Sequence, residues 1–144
     1  MAEEYKTFLH RWFEEVWNKG REDAIDEMFA ENGIANGLTD ENGKTIVGPE
    51  MFKPFFRKFR QAFPDIHVTV EDTVSEGNKV TGLCRVTGTH QGQGIGVNPT
   101  NRTIDFRGIA IAKMEDGKIV EAWNQFDFMS MYQQLGALNL TLDT

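Results

Sequence analysis

The sequence predicts an α+β fold, on three observations. A helical apolar period runs through its first half, a period of two takes over in the second half, and a proline marks the change. Tyr5, Phe8, Leu9, Trp12, Phe13, Val16 and Trp17 recur at helical spacing, and Gly20 stands where a glycine ends such a helix. A shorter helix follows from about Glu22 to Ala30, with Ile25, Met28 and Phe29 on one side. Ile34 to Val47 reads as a short polar hairpin turning at Glu41-Asn42-Gly43.

Gly48-Pro49-Glu50 is a helix start, with proline at the first helical position and an acid beside the positive end of the dipole. This helix carries Phe52, Phe55, Phe56, Phe59 and Phe63 before Pro64 breaks it. The rings are either plain core or, for some of them (Phe56 and Phe59 foremost), the wall of a ligand cavity. From Ile66 the pattern alternates, turns at Glu76-Gly77-Asn78-Lys79, and continues as a strand from Val80 to about His90. Residues Gln91 to Arg102 form a glycine-rich loop, read as flexible and able to cover a pocket. Strands Thr103 to Met114 and Lys118 to about Asp127 meet at Asp116-Gly117, and a short helix, Phe128 to Leu135, ends at Gly136. Residues 1–144 thus read as a single domain, with no repeat or linker.

The last hairpin can be registered from its turn. With Glu115 facing Lys118, regular pairing puts Gly108, Ala110 and Ala112 on one face with Glu121, Trp123, Gln125 and Asp127. Small residues opposite polar ones leave space beside hydrogen-bonding groups, as a binding cavity needs. The alternative is that helix side chains fill the space and the acids are solvated at its rim. A carboxyl buried there would have a raised pKa and could shuttle a proton near neutral pH. The other face, with Ile109 and Ile111, is expected to be packing or a dimer surface. Asp105 and Arg107, on that side, are expected to make a cross-strand ion pair at a subunit interface, the alternative being a catalytic Asp–Arg pair.

Composition bounds the partners. The chain has 22 acidic and 15 basic residues and a net charge of -7, which disfavours nucleic acid and anionic membranes. The start, Met1-Ala-Glu-Glu-Tyr-Lys, does not read as a signal peptide, and no apolar run is long enough for a membrane helix. A lone Cys84 excludes an internal disulfide, so a cytoplasmic location is expected. His10, His67, His90 and Cys84 lack metal-ligand spacing. His90 shares a face with Cys84 and Val86, as either a satisfied strand-end histidine or a catalytic one. Gly92-Gln-Gly94-Ile-Gly96 imitates a phosphate loop, but a strand follows it, not a helix.

Several segments, in order, carry a resemblance. They are Trp17-Asn-Lys-Gly-Arg-Glu-Asp-Ala-Ile-Asp-Glu-Met-Phe, Gly48-Pro-Glu, Ala62-Phe-Pro-Asp-Ile, Thr87-Gly-Thr-His-Gln-Gly, Pro99-Thr-Asn-Arg, Asp116-Gly-Lys-Ile-Val-Glu-Ala-Trp-Asn and Gln134-Leu-Gly. Together they resemble the SnoaL-like polyketide cyclase (ester cyclase) family of the nuclear-transport-factor-2-like superfamily. The resemblance implies a conical, cystatin-like α+β barrel, often a homodimer, with a pocket for a small apolar molecule inside the cone. It implies ring closure by intramolecular aldol chemistry without metal or cofactor, with an aspartate as acid and base. The family's Trp-x-x-x-Asp pattern falls on Trp123 and Asp127.

The candidate catalytic residues are therefore Asp127 and His90. The candidate substrate contacts are Asn36, Phe56, Phe59, Ala110, Glu121, Trp123 and Gln125. Two departures from the family pattern make the pocket more apolar: Ile34-Ala35-Asn36-Gly37 and Gly108-Ile-Ala-Ile-Ala stand where relatives carry histidines. A binding domain without chemistry, using the same cavity, is the competing expectation.

Overall fold

A computed structural model describes residues 5–138. Helix α1 (Phe8–Trp12) widens into a π-helical stretch (Phe13–Asn18). Helix α2 (Glu22–Met28) ends earlier than its apolar pattern suggests, because strand β1 (Phe29–Thr39) begins at Phe29. The chain continues through β2 (Thr45–Val47), helix α3 (Gly48–Ala62), β3 (His67–Glu76), β4 (Lys79–Thr89), β5 (Thr103–Glu115), β6 (Lys118–Phe126) and helix α4 (Phe128–Gln134). The expected hairpin at Glu41 to Gly43 is present, with β1 and β2 antiparallel on either side.

The six strands form one sheet in the order β2-β1-β6-β5-β4-β3. Only β1 and β6 run parallel: α3 carries the chain from β2 to the opposite edge of the sheet, and the β3–β6 meander returns until β6 lies beside β1. Irregular pairings interrupt β1 between Ala35 and Thr39, β3 between Val70 and Asp72, and β6 beside Met114. Such bulges bend a strand and increase its twist, and here they curl the sheet around the helices. The fold is thus the α+β one expected, with helices packed in the curve of a mostly antiparallel sheet.

The core fills that curve. Phe8, Leu9, Val16, Ile25, Ile46, Phe63, Met114 and Met131 are almost fully buried. Trp17 is the hub of the aromatic packing, its ring centroid 5.3 Å from Phe56, 6.2 Å from Phe52 and 6.3 Å from Phe55. Asn18 fixes the helical layer to the sheet by imitating a strand. Its Nδ2 donates to the Val68 carbonyl at 2.9 Å and its Oδ1 accepts the Val68 N–H at 2.7 Å. On the opposite side of β6 and β5, the outer sheet face carries Leu83, Ile109 and Val74, all exposed. No described helix is long and apolar enough to cross a membrane.

Candidate functional site

Between the helices and the inner sheet face lies a cavity of about 90 Å³. Its walls are aromatic: Trp12 from α1, Trp17 from the π-helical stretch, Phe52, Phe55 and Phe59 from α3, and Phe106, Phe126 and Phe128 from the β5–α4 end. Ala110 and Ala112 form part of its floor, and besides the indole N–H groups of Trp12 and Trp17 the polar side chain among its lining residues is Asn124. An engineered apolar void of roughly 150 Å³ takes up benzene. This smaller space admits a ring system only as its aromatic side chains swing aside.

The floor depends on one extra residue. Glu115 pairs with Lys118 and Met114 with Ile119, as the turn predicts. Beyond that, Lys113 pairs with Glu121 and Ala112 with Ala122, so Val120 is an added residue on β6. A one-residue slip reverses the facing of every later side chain. Ala122, Asn124 and Phe126 therefore face the cavity, while Glu121, Trp123 and Gln125 turn to the outer face. The small stripe on β5 is inside as expected, with Gly108, Ala110 and Ala112 buried. Part of the space it leaves is filled, because a Cβ on Gly108 would lie 2.2 Å from the Phe126 ring.

Asn124 is held by its backbone neighbours. Its Nδ2 donates to the Asn36 carbonyl at 3.0 Å, which leaves a second N–H and the amide oxygen to a ligand. Asn36 itself lies on the outer side, giving its Nδ2 to Glu121 at 2.9 Å and to the Ala122 carbonyl at 3.1 Å.

Asp127 lies in sequence between two lining residues, Phe126 and Phe128, but is not itself among the residues that line the cavity. Its side chain is exposed and caps α4, accepting the Ser130 N–H at 3.0 Å and the Ser130 hydroxyl at 2.7 Å. The hydroxyl, and then the amide, hold its carboxyl below the usual carboxylate range. The upward shift expected of a buried acid is thereby corrected.

The whole arrangement matches known proteins. The family model for SnoaL-like polyketide cyclases fits residues 7–135. The chain belongs to that family. Among its curated members, the aklanonic acid methyl ester cyclase of Streptomyces sp. (strain C5) is 26% identical over 129 residues, covering 89% of this chain and 80% of the relative. The nogalonic acid methyl ester cyclase of Streptomyces nogalater is 29% identical over 122 residues, 84% of this chain and 90% of the relative. A crystal structure of a candidate polyketide cyclase from Bacillus cereus superposes with a TM-score of 0.75 at 32% identity, covering 90% of this chain and 78% of that one.

Within this SnoaL-like frame, the structure gathers some of the expected site residues and separates others. Phe59 and Ala110 line the cavity. Phe56 is buried behind it against Trp17, and Phe55, one position earlier, takes the place expected of Phe56. Asn36, Glu121, Trp123 and Gln125 are not among the lining residues, for the register reason given above. Trp123 instead lies beneath the Lys79 ammonium, 5.7 Å from its ring centroid.

His90 is fully buried but does not line the cavity. Its Nδ1 accepts the Thr100 N–H at 3.3 Å, its ring packs 5.4 Å from Phe63, and its Nε2 has no partner. It pins the glycine-rich loop, together with backbone bonds between His90 and Arg102 and between Asn101 and His90. That loop presses on the end of α3: the Gln91 and Gly92 amides donate to the Ala62 carbonyl at 3.0 and 3.1 Å. A Cβ on Gly92 would lie 2.0 Å from the Gln61 carbonyl oxygen, so close approach explains that glycine.

Asp105 and Arg107 do not pair with each other. Asp105 takes Arg85 at 2.8 Å and Arg107 takes Glu71 at 2.8 Å, both exposed on the outer face. Burial pushes the Cys84 thiol up to about 12, so it is not a nucleophile. The residue missed from sequence was Asn124. The signal that hid it was the bulge at Val120, which no pattern in β6 announces.

Proposed function

We propose that the protein closes a ring within a polyketide-type carbonyl compound by intramolecular aldol addition, with Asp127 as the base. The observation that carries this reading is an aromatic-walled cavity with an exposed carboxylate, Asp127, between two of its lining residues in sequence, Phe126 and Phe128. The curated relatives named as polyketide ester cyclases support it.

The rings would hold a folded, flat substrate, so that its two reacting carbons meet without the entropic cost of finding each other in solution. Asp127 would take a proton from a carbon between two carbonyls. Its depressed pKa makes it a weak base, which suits only a C–H acidified on both sides. The resulting enolate carbon attacks a second carbonyl of the same molecule, and the new alkoxide recovers the proton from Asp127. Nothing is gained or lost from the substrate's formula. The spare N–H of Asn124 is suited to hold a substrate carbonyl oxygen inside an otherwise apolar space.

The test is ring closure of a polyketide of the kind for which the relatives are named, offered both as its methyl ester and as the free acid and followed as a change of retention at constant mass. Asp127→Asn should lower turnover by about a hundredfold or more, the scale of a lost general base. Binding, read from Trp12 and Trp17 fluorescence, should remain. Undiminished turnover would remove Asp127 from the reaction. Binding without any turnover in the unaltered protein would leave a ligand-binding domain.

We also propose that a second copy covers the outer sheet face. Leu83 pairs directly with Ile109, and Val74, Thr81, Ile111 and Trp123 line up across four strands beside them.

A further inference from the structure

The helix α3 side of the cavity carries a positive charge to which the proposed reaction assigns no role. Lys58 is half-buried, and its ammonium lies 5.4 Å from the ring centroid of Phe55 and 5.8 Å from that of Phe59. Both rings line the cavity, and Phe55 is only half-buried, so the charge stands where the aromatic wall meets solvent. Among the described residues no carboxylate lies within 4.0 Å of this ammonium, although the chain has a net charge of -7. Its helix neighbours are paired: Lys53 with Asp26 and Glu50, and Arg57 with Glu22.

Lys58 and Phe55 also border a groove that runs along the β1–β2 turn, lined by Asp40, Glu41 and Glu50. Those acids are engaged or solvated. The Asp40 carboxylate accepts the Asn42 and Lys44 amides at 2.9 Å each, Glu50 holds Lys53 at 3.1 Å, and Glu41 is exposed. Their negative field opposes a multiply charged anion more than a singly charged one, so a single carboxylate that reaches Lys58 directly is the anion least disfavoured there.

We infer that Lys58 is a specificity-determining residue, which holds a single carboxylate at the outer end of a substrate whose apolar body lies among the rings. A cation over two aromatic faces is held weakly, whereas a charge-assisted hydrogen bond to a carboxylate is short and strong, so an arriving acid draws it away. The relatives are named for methyl esters. This chain, by contrast, takes the free acid in preference to the ester. The inference rests on the reading that the cavity holds the substrate.

The probes are 2-naphthylacetate and methyl 2-naphthylacetate, titrated against the fluorescence of Trp12 and Trp17, both in the cavity wall. The acid should bind roughly tenfold tighter than the ester, the size of one charge-assisted hydrogen bond. Lys58→Met, which keeps an unbranched helix-forming side chain, should bring the ratio to about one by weakening the acid alone. Lys58→Arg should preserve the preference. An ester that binds as tightly as the acid, or an unchanged ratio in Lys58→Met, overturns the role of Lys58 and leaves the cavity reading standing. Failure of both compounds to alter the fluorescence removes the cavity reading and this inference together.

Discussion

At the scale of single residues, the state of Asp127 is set by Ser130, whose hydroxyl and amide both donate to its carboxylate. The sign of the effect follows from what those donors prefer. They stabilise the ionised form, so the folded-state pKa lies below the unfolded one, and the stabilisation is present at higher pH and lost as pH falls through the folded value. If Asp127 is the base, its activity should persist well into the acid range and fall only there. Ser130→Ala removes the larger cause and leaves the amide. The acid limb of kcat/KM against pH should then move toward the ordinary aspartate range, with the plateau little changed. An acid limb that stays in place would show that another group controls it. A second residue-scale outcome concerns Ala110, whose methyl forms part of the cavity floor. Ala110→Leu places three more carbons in an apolar void, and cavity filling stabilises by about 0.5–2 kcal/mol. Thermal unfolding should therefore shift upward while the naphthyl probes lose binding, a trade expected of a floor kept open for a ligand and not of a packed core.

At the scale of elements, β6 decides what the cavity contains. Val120 is the extra residue that turns Ala122, Asn124 and Phe126 inward. Deleting Val120 would remove the bulge and leave the pairs beyond it, Lys113 with Glu121 and Ala112 with Ala122, as they are, so Ala122, Asn124 and Phe126 stay inside. What is lost is the bend that the bulge gives β6. The deletion should therefore still fold but lower the urea midpoint by more than Val120→Ala, which keeps the bulge and should cost about 1 kcal/mol. Near-equal stability of the two variants would mean that the bulge adds nothing to the curve of the sheet. The same residue marks where the sequence stopped being legible. Helix and strand periods, the Asp116-Gly117 turn and the small stripe of β5 all follow from spacing, and the structure has them. A bulge has no such spacing, because the extra residue shows only in how β6 pairs with its neighbour and not in the period of its own sequence. Alternation carried past Val120 therefore put Glu121, Trp123 and Gln125 inside and missed Asn124. In α3, by contrast, the error between Phe56 and Phe55 is one of rotation: both rings lie on the apolar stripe, and only the position of Trp17 decides which one meets the void.

At the scale of the molecule, the outer sheet face remains to be accounted for. Val74 is 69% exposed and Ile109 45%, and Leu83, opposite Ile109, is 38% exposed. Scattered apolar side chains are ordinary on a surface, but these are neighbours on adjoining strands, with half-buried Ile111 and Trp123 beside them. Around them stand charges already paired within the chain, Arg85 with Asp105 and Arg107 with Glu71. An apolar centre within a polar border is the anatomy of a protein interface, and a stable one covers roughly 800 Å² on each partner. A second copy turned by a two-fold axis would bring Leu83 and Ile109 against their own counterparts and bury this strip on both molecules at once. Light scattering after size exclusion should then give twice the 16.4 kDa chain mass. Ile109→Glu places two uncompensated carboxylates, one from each copy, in one small patch, and should yield a monomer with an unchanged circular dichroism spectrum. Because Ile109 points away from the cavity, the monomer should bind the naphthyl probes as the unaltered protein does. A monomeric unaltered protein would end the proposal. A variant that remains dimeric would place the contact on another surface.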